Sequence, residues 1–152
     1  MGHRVLAVDR DADALASVAG EGIAILQHDL EADGSSDAIW PFAPERFTGI
    51  VVTNYLYRPL FPYLFSSLAA GGILIYETFA RGNEYFGKPS NPDYLLAPGE
   101  LLDAMRINGS NRYRVIAFED GYEDDPRPAM IQRVCVLNAG SGKIAADNIR
   151  LF

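Results

Sequence analysis

The sequence is poor in cysteine, in positive charge and in long apolar runs, and each shortage excludes something. A single cysteine, Cys135, leaves no partner for an intramolecular disulfide. It lies in the run Arg133-Val134-Cys135-Val136-Leu137, where a buried, inert thiol is the expectation. Lys and Arg number 13 against 20 Asp and Glu, a net charge of −7, so the chain lacks the basic face that nucleic acid demands. Acidity of this kind favours solubility and suits a small neutral or cationic substrate better than a polyanion. No apolar stretch reaches the length of a membrane span. The N-terminus, Met1-Gly2-His3-Arg4-Val5, has no signal-peptide architecture, and Leu6 stands where a myristoylation signal needs Ser or Thr. The sequence is read as cytoplasmic.

What is present is a well-patterned α/β chain. Its 152 residues, 49% of them apolar, suffice for one compact domain over 1–152 and not for two of ordinary size. Val5-Leu6-Ala7-Val8 is a short apolar run that fits a strand buried on both faces, and Ile23 to Gln27 is a second strand. Between them Asp11 to Val18 reads as a helix capped by Asp11. Phe47 to Thr53 is a third buried strand, followed by a helix from Pro59 to Leu68 that Gly71-Gly72 ends. Ile73 to Thr78 is a fourth strand, 80–97 a loop, and Pro98 to Met105 a short helix. Tyr113 to Glu119 and Met130 to Leu137 form an antiparallel hairpin around the acidic turn Glu119 to Pro126. Strand and helix alternation predicts a mostly parallel sheet with helices on both faces, closed by that hairpin.

In open parallel sheets ligands bind beyond the carboxyl ends of the strands, which singles out Asp9, Asp29, Asn54 and Glu77. A carboxylate after an early strand can accept hydrogen bonds from both hydroxyls of a ribose. One after the next strand can accept from an adenine amino group. A lone Asp at such a place is usually a strand terminator or helix cap. Asp9 and Asp29 at successive strand ends favour the ligand reading instead.

Val5-Leu6-Ala7-Val8-Asp9-Arg10-Asp11 resembles the second-strand motif of class I S-adenosylmethionine-dependent methyltransferases, and Gln27-His28-Asp29-Leu30-Glu31 resembles their third. Phe47 to Tyr55 is similar to the fourth-strand motif, and Leu68 to Glu77, with Gly71-Gly72, to the helix-turn-strand that follows. Within the family, Glu77 to Glu84 resembles the small-molecule, tellurite-resistance-like branch. The resemblance runs from Gly2 to Leu137 and implies a Rossmann-like methyltransferase sheet with S-adenosylmethionine as cofactor. It assigns the ribose to Asp9 with Arg10 beside it, the adenine to Asp29 and Leu30, and the methyl-transfer region to Asn54 and Tyr55. It names no catalytic residue. The family's first strand and its G-x-G-x-G loop would lie just upstream of Gly2, so the domain is expected to be N-terminally truncated. The strand beginning at Val5 and the one beginning at Phe47 would then lack the neighbour between them. Direct pairing, exchange of segments between two chains or a strand from a partner would repair this, and a homo-oligomer is favoured over a monomer.

Gly140-Ser141-Gly142-Lys143-Ile144-Ala145 matches G-x-G-x-x-A in form, but only Ala146 to Phe152 follow, and 138–152 is read as a flexible tail. The loop 80–97, with Arg81, Asn83, Tyr85, Phe86, Lys88 and Tyr94, is either a substrate wall or a solvated crossover. Tyr55, Tyr57 and Arg58 flank the expected methyl group, where rings could meet a sulfonium. His28 has no evident partner. The acids from Glu119 to Asp125 match no calcium loop, so no metal is expected. The sequence therefore points to methyl transfer from S-adenosylmethionine to a small molecule. The alternative is a non-catalytic methyltransferase-like protein with weak or no cofactor binding. A nicotinamide-dependent reductase fragment is disfavoured by the closing hairpin and the lack of a Tyr-x-x-x-Lys pair.

Overall fold

The computed structural model describes residues 2–31, 39–108 and 111–140. The chain divides into two compact units, Met1–Pro41 and Phe42–Phe152, each with its own sheet. In the first, β1 (Val5–Asp9) and β2 (Ile23–Gln27) pair in parallel, with Val5 opposite Ile23 and Asp9 opposite Gln27. Helix α1 (Ala12–Val18) joins them. Asp11 caps it, its Oδ1 accepting from the Asp13 and Ala14 amides at 2.8 and 3.1 Å, which satisfies donors that have no intrahelical partner. Leu15 points from α1 into the unit and is 3% exposed. β1 is not buried on both faces as expected, since Val5 is 49% exposed, and Ile25 of β2 is 50% exposed. A single short helix shields one face of a two-stranded sheet and leaves the other open.

The second unit holds a four-stranded sheet in the order β3 (Phe47–Thr53), β4 (Leu68–Phe79), β6 (Ala129–Asn138), β5 (Tyr113–Glu123). β3 and β4 are parallel; β4 with β6 and β6 with β5 are antiparallel. The sheet is thus mixed rather than mostly parallel, because both ladders made by the expected closing hairpin run antiparallel. β5 continues through Glu123, so half of the acidic segment is strand and not turn. β3 is an edge strand with Val51 67% exposed, against the expectation of full burial. Among the described residues β1 pairs with β2 and β3 with β4.

Arg58–Leu60 is a 3₁₀ turn, and the helix expected from Pro59 to Leu68 is α2 (Phe61–Ser67). Phe61, Leu64 and Phe65 fall at i, i+3 and i+4 and are buried, with α2 in contact with β4. Gly71-Gly72 does not end this helix. It sits inside β4, in an irregularity where Phe47 pairs with Leu68 but Gly49 pairs with Ile73. Gly71 takes φ +79, and an added Cβ on Gly72 would collide with backbone oxygens, so the two glycines serve different needs.

Helix α3 (Glu100–Asn108) begins after Pro98 rather than with it, and buries Leu101 and Ala104. Its first turn is held from the sheet: buried Gln132 of β6 accepts from the Leu101 amide at 3.1 Å and donates to the Ala97 carbonyl at 2.6 Å. Buried Asn138 likewise donates to Leu68 O at 2.7 Å and accepts from Gly140 N at 2.9 Å. Leu68, Leu74, Tyr76, Val134 and Val136 form the centre of the core. Of the predicted tail, 141–152 lies outside the described residues. Among those described, no helix is long and apolar enough to cross a membrane.

Candidate functional site

The parallel pairing of β1 and β2 brings Asp9, Arg10 and Asp29 to one rim at the strands' carboxyl ends. Asp9 is the last residue of β1, and its carbonyl accepts from His28 N at 2.9 Å, tying the chain after β2 to the end of β1. Arg10 is fixed through its carbonyl, which accepts from Gln27 Nε2 at 3.1 Å. Its guanidinium lies 3.9 Å from Asp29 Oδ2 with both side chains mostly in solvent. An ion pair so exposed contributes little to stability. Asp9 Oδ1 accepts from Asp11 N at 2.9 Å, and Asp29 Oδ1 from Glu31 N at 3.0 Å. Asp9 Oδ2 has no hydrogen-bond partner among the described residues. Leu30 follows Asp29 and is half-buried. This unit therefore brings together the four residues assigned to the adenosyl end.

Asn54 and Tyr55 lie in the second unit, directly after β3. Asn54 adopts φ +53, a left-handed conformation that Asn tolerates better than most residues, and its amide donates to Glu77 O at 3.0 Å. The turn so formed is braced by Tyr76, which donates from its hydroxyl to the Tyr55 carbonyl at 2.7 Å. Burial of the Tyr76 ring against Phe61 pushes its pKa far up, so the phenol stays a neutral donor. Glu77 is not a strand-end residue, since β4 runs on to Phe79. It pairs instead with Arg133 of β6 at 2.9 Å, and Arg133 also meets Glu119 at 3.1 Å and Glu123. The acidic hairpin is therefore partly neutralised.

No family model and no curated protein matches the sequence. Solved structures do match. A methyltransferase from Mesorhizobium loti dependent on S-adenosylmethionine aligns over 86% of this chain and 78% of its own, at 15% identity and TM-score 0.61. One from Methanosarcina mazei aligns over 86% and 80%, at 11% identity and TM-score 0.59. The 1,6-didemethyltoxoflavin-N1-methyltransferase of Burkholderia thailandensis, solved with 1,6-didemethyltoxoflavin and S-adenosylhomocysteine bound, aligns over 91% of this chain and 63% of its own, at 16% identity and TM-score 0.59. The chain has the fold of S-adenosylmethionine-dependent methyltransferases.

On this methyltransferase fold, two side chains matter more than their sequence context suggests. Tyr76 reads as one more apolar strand residue, yet it holds the backbone at Tyr55. Arg58, expected to face the methyl region, is a strap. It donates to Glu100 at 2.6 and 3.0 Å, to Asp93 O at 2.7 Å and to Leu95 O at 3.1 Å. Burial alone would raise the Glu100 pKa, but the Arg58 hydrogen bond, the Ala97 amide and the nearby Arg58 and Arg81 charges together hold it below the usual value. The loop 80–97 is consequently packed down, with Leu95 and Leu96 buried and 3₁₀ turns at Asn83–Tyr85 and Pro92–Tyr94. No sequence signal separates Arg58 from its neighbours, because its partners lie 35 to 42 residues away. Cys135, expected to be buried, is half-buried on the sheet face opposite Val134 and Val136, and burial raises its pKa, which keeps it a thiol.

Proposed function

We propose that this chain binds S-adenosylmethionine and directs its methyl group to a small-molecule acceptor. The carrying observation is the rim of Asp9, Arg10 and Asp29 at the carboxyl ends of β1 and β2, with Asp9 Oδ2 unclaimed among the described residues, on a methyltransferase fold. Asp9 would accept from the ribose hydroxyls, and Asp29 with the adjoining Leu30 backbone would meet the adenine edge. Asn54 and Tyr55 are assigned to the methyl-transfer region by the sequence resemblance alone. When bound, the cofactor supplies a methyl group already activated by positive sulfur. The protein's part is then to orient an acceptor and keep water away, and it needs no strong base. The small-molecule, tellurite-resistance-like branch is the reading we adopt for the acceptor.

A non-catalytic role is the second reading, and one observation favours it. Asp9 Oδ1 and Asp29 Oδ1 each close a local turn, on Asp11 N and Glu31 N, which is what strand-terminating aspartates do in any protein. Calorimetric titration with S-adenosylhomocysteine separates the two. Saturable binding, weakened by Asp9→Ala by about 1–3 kcal/mol as charged hydrogen bonds are lost, supports the cofactor site. No heat with the wild-type protein, or equal affinity in a folded Asp9→Ala variant, removes Asp9 from it.

A further inference from the structure

Five arginines of this acidic chain, Arg10, Arg58, Arg106, Arg112 and Arg133, face carboxylates. Lys88 and Arg127 are different. Both line one cavity of about 50 Å³, together with Phe79, Asn83 and Phe86, and neither forms an ion pair with any described residue. β6 runs antiparallel to β4, Phe79 opposite Ile131, so the turn carrying Arg127 returns to the end of the sheet where β3 and β4 present their carboxyl ends. That is the end at which open parallel sheets take their ligands.

Hydrogen bonds and close packing brace the lining of this cavity. Asn83 is 2% exposed and spends its amide on structure, donating to Pro89 O at 3.0 Å and accepting from Met130 N at 3.3 Å. This clamps the segment that carries Phe86 and Lys88 to the first residues of β6. Gly82, at φ +104, lies so close to Met130 that an added Cβ would sit 2.9 Å from its Cγ. Arg127 stands with its guanidinium carbon 5.8 Å from the centre of the Phe79 ring. A ring face steadies the cation without consuming the planar N–H fork that matches an oxyanion. Phe86 leans on Tyr122 with ring centres 5.2 Å apart, and both rings are substantially exposed, forming an apolar shoulder beside the charge.

Two cations unpaired among the described residues, beside exposed aromatic faces, attract an anion that carries a flat apolar body. A volume of about 50 Å³ admits a few water-sized groups, hence a carboxylate and the start of its ring, and not a whole ligand. We propose that this cavity binds the carboxylate of an aromatic acid, with Arg127 and Lys88 on the oxygens and Phe86 against the ring. Its service as an anchor for the methyl acceptor rests on the function proposed above; the binding site itself does not.

The test is a titration of the full chain with benzoate, followed by amide chemical shifts, with benzamide as the neutral isostere and inorganic phosphate as the anion without a ring. The expected result is saturable benzoate binding, weakened about tenfold or more by Lys88→Gln and by Arg127→Gln. Arg114→Gln, an exposed arginine of β5 outside the cavity, should leave it unchanged. Benzamide binding as well as benzoate, phosphate competing on equal terms, indifference to both substitutions or no saturation each overturn the proposal. S-adenosylhomocysteine is titrated into the same samples. Its binding without benzoate binding sinks the carboxylate site alone, and the reverse sinks the cofactor reading alone.

Discussion

At Gly72 an added Cβ would lie 2.8 Å from the Ala69 carbonyl oxygen and 3.1 Å from that of Thr48. Both are backbone oxygens, which give way less cheaply than the end of a flexible side chain. Gly72→Ala should therefore cost about 1–3 kcal/mol, in the range of overpacking, although alanine suits extended backbone better than glycine does. Thermal unfolding checks this, with no loss of Tm as the contrary result. Gln132 makes the second residue-scale case. Gln132→Leu keeps the volume but strands the Leu101 amide, worth about 1–3 kcal/mol when left unsatisfied, while the Ala97 carbonyl keeps its bond from the Glu100 amide at 3.0 Å. A drop in Tm of several degrees is expected, with hydrogen exchange at α3 accelerated ahead of the sheet. Tyr76 adds a pH signature. Its folded pKa is raised, so the stability it confers is full below the ordinary tyrosine value, about 10, and fades as pH rises beyond it.

Between elements, the Arg58 strap decides whether the loop 80–97 stays down. Arg58→Met should free Asp93 and Leu95, and raise proteolytic cleavage within 88–97, while the sheet remains folded. Glu100 has a depressed pKa, so its pairing with Arg58 stabilises the protein above the unfolded carboxylate value, about 4.3, and is lost as pH falls through the lower folded one. A melting profile against pH should accordingly be flatter on the acid side in Arg58→Met than in the wild type. The same scale shows what could be read from the sequence. β1, α1, β2, β3 and the closing hairpin were legible because local signals set them: apolar runs, the Asp11 cap and turn residues at both ends. The early end of α2 and the reach of β4 back to Leu68 were not, since an irregularity opposite Phe47 replaces the expected helix stop. Asp9, Arg10 and Asp29 were legible as a rim because parallel pairing follows from the βαβ pattern. Tyr76, Arg58 and the cavity around Arg127 join residues distant along the chain, and no periodicity reports that.

For the molecule as a whole, its two units differ in how much they bury. Among the described residues Leu15 is the only buried side chain of Met1–Pro41, whereas Phe42–Phe152 holds an extended core. Local stability follows buried apolar contact, so amides of β1 and β2 should exchange faster than those of β4 and β6, measurably by mass spectrometry. Equal protection in the two sheets would contradict this. Asp9 and Asp29, the residues proposed to grip an adenosyl group, belong to the thinly packed unit. Anything that binds only the folded form adds RT ln(1 + [L]/Kd) to its stability, and a unit with little core of its own feels this most. On the proposed function, the supply of methyl donor sets how long β1 and β2 survive a protease, and the protein's lifetime in a starved cell is shorter than in a fed one.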